Sequence, residues 1–157
     1  MRTYLVIANE TLGGDYLLGQ LRQRLATGPA RFHLLVPATP ALKLDADTYA
    51  DSVTTSATRE LGTPHPSPDD LAWAMARRRL AHELARLEQA GITAHGEVGD
   101  ADVIHGIGEV LERERFDEVV ICTPAQPIGR WLGTDLKHRV ERTFGLPVTH
   151  CTEPPKP

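Results

Sequence analysis

The chain has 157 residues, the length of one domain of roughly 100–200 residues, and folding at that size hides roughly 68–70% of the surface an unfolded chain exposes, so no metal or disulfide staple is needed. Apolar residues at 41% and charged residues at 24% exclude wholesale disorder. A net charge of -4 lacks the basic footprint of a general nucleic-acid binder.

In chain order, Tyr4-Leu5-Val6-Ile7-Ala8 is a short continuous apolar run, the pattern of a strand buried on both faces. From Asp15 to Ala26, Leu17, Leu18, Leu21 and Leu25 recur at helical spacing, and Gly28-Pro29 ends the helix. Phe32 to Val36 reads as a second strand, stopped by Pro37. Residues 38–67 have no clear periodicity, and such a length is too great for an ordinary loop. They form an insertion in one crossover, either a lid or partner surface or a disordered segment. A long helix follows from Pro68 to about Ala90. Ser67 is its expected N-cap, Asp69 and Asp70 suit its positive end, and Gly91 is its stop.

Ile92 to Val98 alternates only partly and reads as a weak third strand. Asp100 is the expected cap of a helix that turns Val103, Ile104, Ile107, Val110 and Leu111 inward. Val119-Val120-Ile121, within Phe116–Cys122, is a fourth buried strand. Asp135 to Phe144 reads as the last helix, ended by Gly145, and Pro147 to Cys151 as the fifth strand. The segment after residue 152 reads as a loose tail. Strands and helices alternate throughout, so the crossovers should be right-handed and the strands parallel, in a three-layer α/β domain over residues 1–152.

No apolar run approaches the roughly 20 residues of a membrane span. The strand-like start carries no cleavage-site pattern, so the expectation is a cytoplasmic protein that meets neither membrane nor nucleic acid. Two cysteines, Cys122 and Cys151, make neither a disulfide framework nor a zinc site. They lie at the ends of strands that pair if adjacent, where a disulfide is geometrically open, and a reduced, buried pair is expected. The seven histidines lack metal-ligand spacing and are read as structural, with no metal site. The run Arg77-Arg78-Arg79 points in three helix directions and is read as a solvated face. Gly106-Ile107-Gly108 lies inside a helix pattern, where close packing explains it better than a dinucleotide fingerprint.

In an open parallel sheet, ligands sit beyond the carboxyl ends of the strands. Here those ends carry Asn9 and Glu10 after the first strand, and Gly129, Arg130, Gly133 and Thr134 after the fourth. Backbone N–H groups at the start of the last helix, with Arg130, suit an anion such as phosphate; alternatively Gly133-Thr134 is only a turn and an N-cap.

Val98-Gly99-Asp100, a helix, then Asp117-Glu118-Val119-Val120-Ile121 resembles the universal stress protein family. So does Gly133-Thr134, a helix, then Gly145-Leu146-Pro147-Val148. The resemblance spans nearly the full length and implies a five-stranded parallel sheet in order 3-2-1-4-5, of the Rossmann-like type of adenine nucleotide alpha hydrolases. It implies homodimers through the edge strand, here residues 147–151. ATP-binding members carry an aspartate after the first strand and a G-x2-G-x9-G-[ST] loop. In this chain Asn9 stands at the aspartate position, and Val120 and Thr123 stand where the first two glycines fall. Pro124 and Pro127 remove N–H donors from the shortened loop.

The functional expectation is therefore a universal stress protein-like regulatory or binding protein, homodimeric, with weak or lost ATP binding and no catalytic residues assigned. If a nucleotide or small anion binds, Asn9 and Val36 meet the base, Arg130 supplies charge, and Gly133 and Thr134 supply donors. Two alternatives stand beside it: an ATP-binding member with slow hydrolysis, in which Glu10 or Asp100 positions water and a metal, and a partner-binding module that uses the 38–67 insert.

Overall fold

A computed structural model describes residues 1–9, 12, 14–38, 68–124 and 133–154. Its elements run β1 (Arg2–Ile7), α1 (Asp15–Ala26), β2 (Ala30–Pro37), α2 (Pro68–Gln89), β3 (Ala94–Gly99), α3 (Val103–Arg113), β4 (Glu118–Thr123), α4 (Gly133–Phe144) and β5 (Val148–Thr152). The five strands form one parallel sheet in the order β3-β2-β1-β4-β5. Most of the insert, residues 39–67, and the end of the tail, residues 155–157, lie outside the described residues.

Side chains alternate across a strand, and this sheet is covered on both faces, so its central strands are apolar at every position. Tyr4, Val6 and Ala8 of the β1 segment join Phe32, Leu34, Val36, Val120 and Cys122 under Leu17 and Leu21 of α1 and Ala76, Leu80 and Leu87 of α2. Leu5 and Ile7 turn the other way, with Leu35, Val119 and Ile121, onto Val103, Ile107 and Val110 of α3 and Leu136 and Val140 of α4. Each central strand thus feeds two separate cores. Ile104 and Leu111 pack at the margin of the second.

Helix ends follow local chemistry. Gly91 stops α2 in the left-handed region at φ 78°. Its N–H donates to the Glu88 carbonyl, and the Ile92 N–H donates to that of Leu87. These two bonds form a Schellman cap that uses up Ile92 and delays β3 to Ala94. At the start of α3 the capping expectation needs correction. Asp102, not Asp100, is the N-cap, accepting from the Ile104 and His105 backbone N–H groups. Asp100 Oδ1 instead accepts the Asp102 N–H at 2.8 Å, an Asx-type turn that aims the chain into the helix.

Gly106 is buried for a packing reason, as its pattern suggested. A Cβ there would sit 3.4 Å from the Asp100 backbone nitrogen, so α3 lies close over the β3–α3 turn. Across β4 and β5, Cys122 stands in register with Cys151, and both are free, buried thiols. No described helix is long and apolar enough to cross a membrane.

Candidate functional site

Strand order reverses at β1, because β2 flanks it on one side and β4, reached through β3 and α3, flanks it on the other. A crevice beyond the carboxyl ends of β1 and β4 is the expected ligand position in such a sheet. Asn9 follows β1 at this point and is half-buried. Its Oδ1 accepts from Arg79 Nη2 at 2.8 Å. A guanidinium only donates, so it also fixes which way the amide faces.

Arg79 is the site residue that the sequence reading missed. Arg77 is exposed, as a solvated face requires, but Arg79 turns toward the sheet. It begins a charged stripe on α2 with Glu83 and Arg86, at spacings of four and three residues that place them on one face. Glu83 is 1% exposed, and one of its oxygens lies 3.4 Å from Arg86 Nε. Arg86 also donates to the Gly14 carbonyl and lies 3.6 Å from Asp15. The stripe therefore binds α2 to both ends of the β1–α1 connection. The available signal was an ionic row at helical spacing inside an otherwise alanine- and leucine-rich stripe.

The other predicted residues fare differently. Val36 is fully buried near the carboxyl end of β2, in register with Val98. Gly133 and Thr134 open α4, so the first backbone N–H groups of that helix belong to them. Arg130 and Glu10 lie outside the described residues.

Thr123, at one of the expected glycine positions, is wholly buried. Its hydroxyl is 2.8 Å from His150 Nε2, and its carbonyl accepts the Glu153 N–H. Burial, then Lys137, pushes the His150 imidazole below its usual range, which keeps it neutral. Thr123 is thus tied to β5 by side chain and backbone alike.

Beyond β3, Asp100 Oδ2 lies 2.9 Å from His105 Nδ1, and Glu109 Oε1 lies 3.2 Å from the same nitrogen. These three offer ligand atoms within 4.8 Å of one another, the one such cluster among the described residues. His105 and Glu109 are exposed, and His105 Nδ1 already lies against both carboxylates. At the opposite end of the strands, a recess of about 540 Å³ is lined by Thr3, Arg31, His33, His95 and Phe116, far from the switch point.

No family model matches this chain, and no curated protein matches its sequence. Among solved structures it is similar to a universal stress protein family protein from Arabidopsis thaliana with AMP bound. That alignment covers 98% of this chain and 92% of the other at 14% identity, with a TM-score of 0.57. A protein from the universal stress protein family of Burkholderia pseudomallei aligns over 94% of this chain and 93% of its own, at 15% identity and a TM-score of 0.49. The likeness to the Arabidopsis protein establishes the fold: a five-stranded parallel sheet in order 3-2-1-4-5 between two layers of helices.

Proposed function

We propose that this chain is a universal stress protein-like regulatory and binding protein, not an enzyme, whose adenine-nucleotide site at the carboxyl edge of the sheet is weakened or lost. The observation that carries the reading is the Arg79–Asn9 hydrogen bond. The adenine amino group offers a donor and needs an acceptor, and the charged Arg79 already takes one of the two lone pairs of Asn9 Oδ1. A hydrogen bond to a charged group contributes about 1.5–3 kcal/mol, a penalty of tenfold or more on a ligand that must displace it. Thr123, turned into β5, removes a second element of a phosphate loop.

The AMP held by the Arabidopsis protein makes an adenine nucleotide the first ligand to test. In this reading Asn9 and Val36 flank the base, Arg130 meets the phosphates, and Gly133 and Thr134 donate to them. Residues 1–152 act as one domain with its insertion at 38–67. Two copies pair along β5, which lies at the sheet's edge, where a row of backbone groups turns away from β4.

Titrating Mg-ATP into the purified protein while following Tm tests the ligand claim. A ligand at 100 times its Kd stabilises by about 2.7 kcal/mol, and for this size that is a shift of roughly 5–10 °C. The expected result is little or no shift at millimolar ATP. A full shift, abolished by Arg130→Ala, would overturn the weakened-site reading and show an intact pocket. Sedimentation equilibrium tests the pairing, and a monomer at every concentration would remove it.

A further inference from the structure

We propose that Cys122 and Cys151 form a peroxide-reactive modification site, with Cys151 as the attacking sulfur and Cys122 as the resolving thiol. The proposal is independent of the nucleotide reading, because it rests on the helix α1 side of β4 and β5.

The two residues are direct partners in the parallel β4–β5 ladder, so their side chains leave the same face side by side. Neighbouring strands lie about 4.7–4.9 Å apart, inside the Cα separation of roughly 4.4–6.8 Å that a disulfide needs. Both are free.

Polar and charged side chains of α1 reach this pair. Cys151 Sγ donates to Gln20 Oε1 at 3.2 Å. Arg24 Nη1 donates to that same oxygen at 3.3 Å, and Arg24 Nε lies 3.7 Å from Glu118. This guanidinium is mostly enclosed, at 14% exposure, so water screens its charge weakly. Tyr16, one turn before Gln20, also faces Cys151; burial, then the negative charge of a Cys151 thiolate, holds its hydroxyl protonated. Among the described residues the charged and titratable groups beside the sulfurs are Tyr16 and Arg24 of α1, with Glu118 of β4 paired to Arg24.

This setting divides the labour. The adjoining Cys122 thiol, then the Arg24 charge, holds Cys151 below the usual thiol range against its burial. The neighbouring Cys151, then burial, pushes Cys122 up and keeps it a thiol. A lowered value marks a reactive cysteine, and of the two buried thiols Cys151 is the less enclosed. Cys151 is 9% exposed on the edge strand, whereas Cys122 is 1% exposed.

The co-reactant is a hydroperoxide. The Cys151 thiolate gives an electron pair to the distal peroxide oxygen, the O–O bond breaks, and an alkoxide or hydroxide leaves and takes up a proton. Cys151 becomes a sulfenic acid. The Cys122 sulfur then attacks it: the S–S bond forms, the S–O bond breaks, and the sulfenic hydroxyl departs as water with the Cys122 proton. The pair loses two electrons, and the peroxide gains them. A dithiol reductant reverses the step by thiol–disulfide exchange.

The test uses the reduced full-length protein, hydrogen peroxide as probe, and intact mass without reductant. The expected product has lost two hydrogens, contains an intrachain Cys122–Cys151 link on peptide mapping, and returns to the dithiol with dithiothreitol. In Cys122→Ser, dimedone traps a sulfenic acid at Cys151; in Cys151→Ser, labelling falls at least about tenfold. Should either variant not fold, the pH profile of wild-type iodoacetamide alkylation at Cys151 serves instead. Its midpoint should lie below the ordinary thiol value of about 8.5 and rise in Arg24→Gln. An unmodified pair after excess peroxide, a link between two chains, first labelling at Cys122, or an ordinary midpoint insensitive to Arg24 would each overturn the proposal.

Discussion

Arg79 Nη2 lies 2.8 Å from Asn9 Oδ1, so a helix that enters the fold after the insert reaches across to the end of the first strand. The contact joins residues far apart in sequence at the point where strand order reverses. It fixes the Asn9 amide in place at the candidate ligand site.

Removing the acceptor should therefore destabilise the domain. Asn9→Ala leaves a half-buried guanidinium without this partner, and the expected loss is about 1.5–3 kcal/mol. Urea unfolding at constant m-value measures it, and a loss under about 0.5 kcal/mol would mean the bond is replaced by water.

Close packing of α2 against β3 makes a second prediction. A Cβ on Gly96 would meet Leu80 Cδ1 at 2.6 Å and the Leu34 carbonyl oxygen at 3.0 Å. Leu80 can rotate aside, but the carbonyl belongs to the sheet backbone. Gly96→Ala should cost about 1–3 kcal/mol as an overpacked site, read as a lower urea midpoint.

The α3 start distinguishes its two aspartates. Asp102→Ala removes the cap acceptor and should cost about 1 kcal/mol. Restoration by Asp102→Ser or Asp102→Asn, measured by thermal unfolding, separates capping from charge.

Asp100 and His105 carry a pH signature. The Asp102 backbone hydrogen bond, then the His105 contact, lowers the Asp100 carboxyl, so its contribution is present above the usual value and lost as pH falls through the folded one. The hydrogen bond to Asp100, then Glu109, raises His105. Its contribution is full below about pH 6.5 and fades as pH rises through the folded value. The pair should add stability between about pH 4 and 6.5, and His105→Gln should flatten the decline above that window. Salt should weaken the effect, since His105 is exposed. Urea midpoints measured from pH 4 to 8 would show both.

The identity and order of the described elements were legible because most apolar patterns were clean, with the partly alternating β3 the weakest of them. Val119-Val120-Ile121 and Leu5-Val6-Ile7 are apolar at every position, which requires cover on both faces. Gly91 and Gly145 mark helix ends because each takes a positive φ, 78° and 66°, that other residues avoid. The α3 cap was misread because Asp100 and Asp102 are equally good caps by composition, and only the backbone turn between them decides which side chain meets the helix.

By itself, then, the sequence determined which segments are strands and which are helices, and the alternation that makes the sheet parallel, since those depend on neighbours within a few residues. Tertiary structure decided what depends on how one element lies against another. Arg79 turns from a run of solvated arginines onto Asn9 because α2 crosses the β1–α1 connection. Cys122 and Cys151 become neighbours because β4 and β5 pair in one register, and Arg24 of α1 lies beside them because that helix covers the same face.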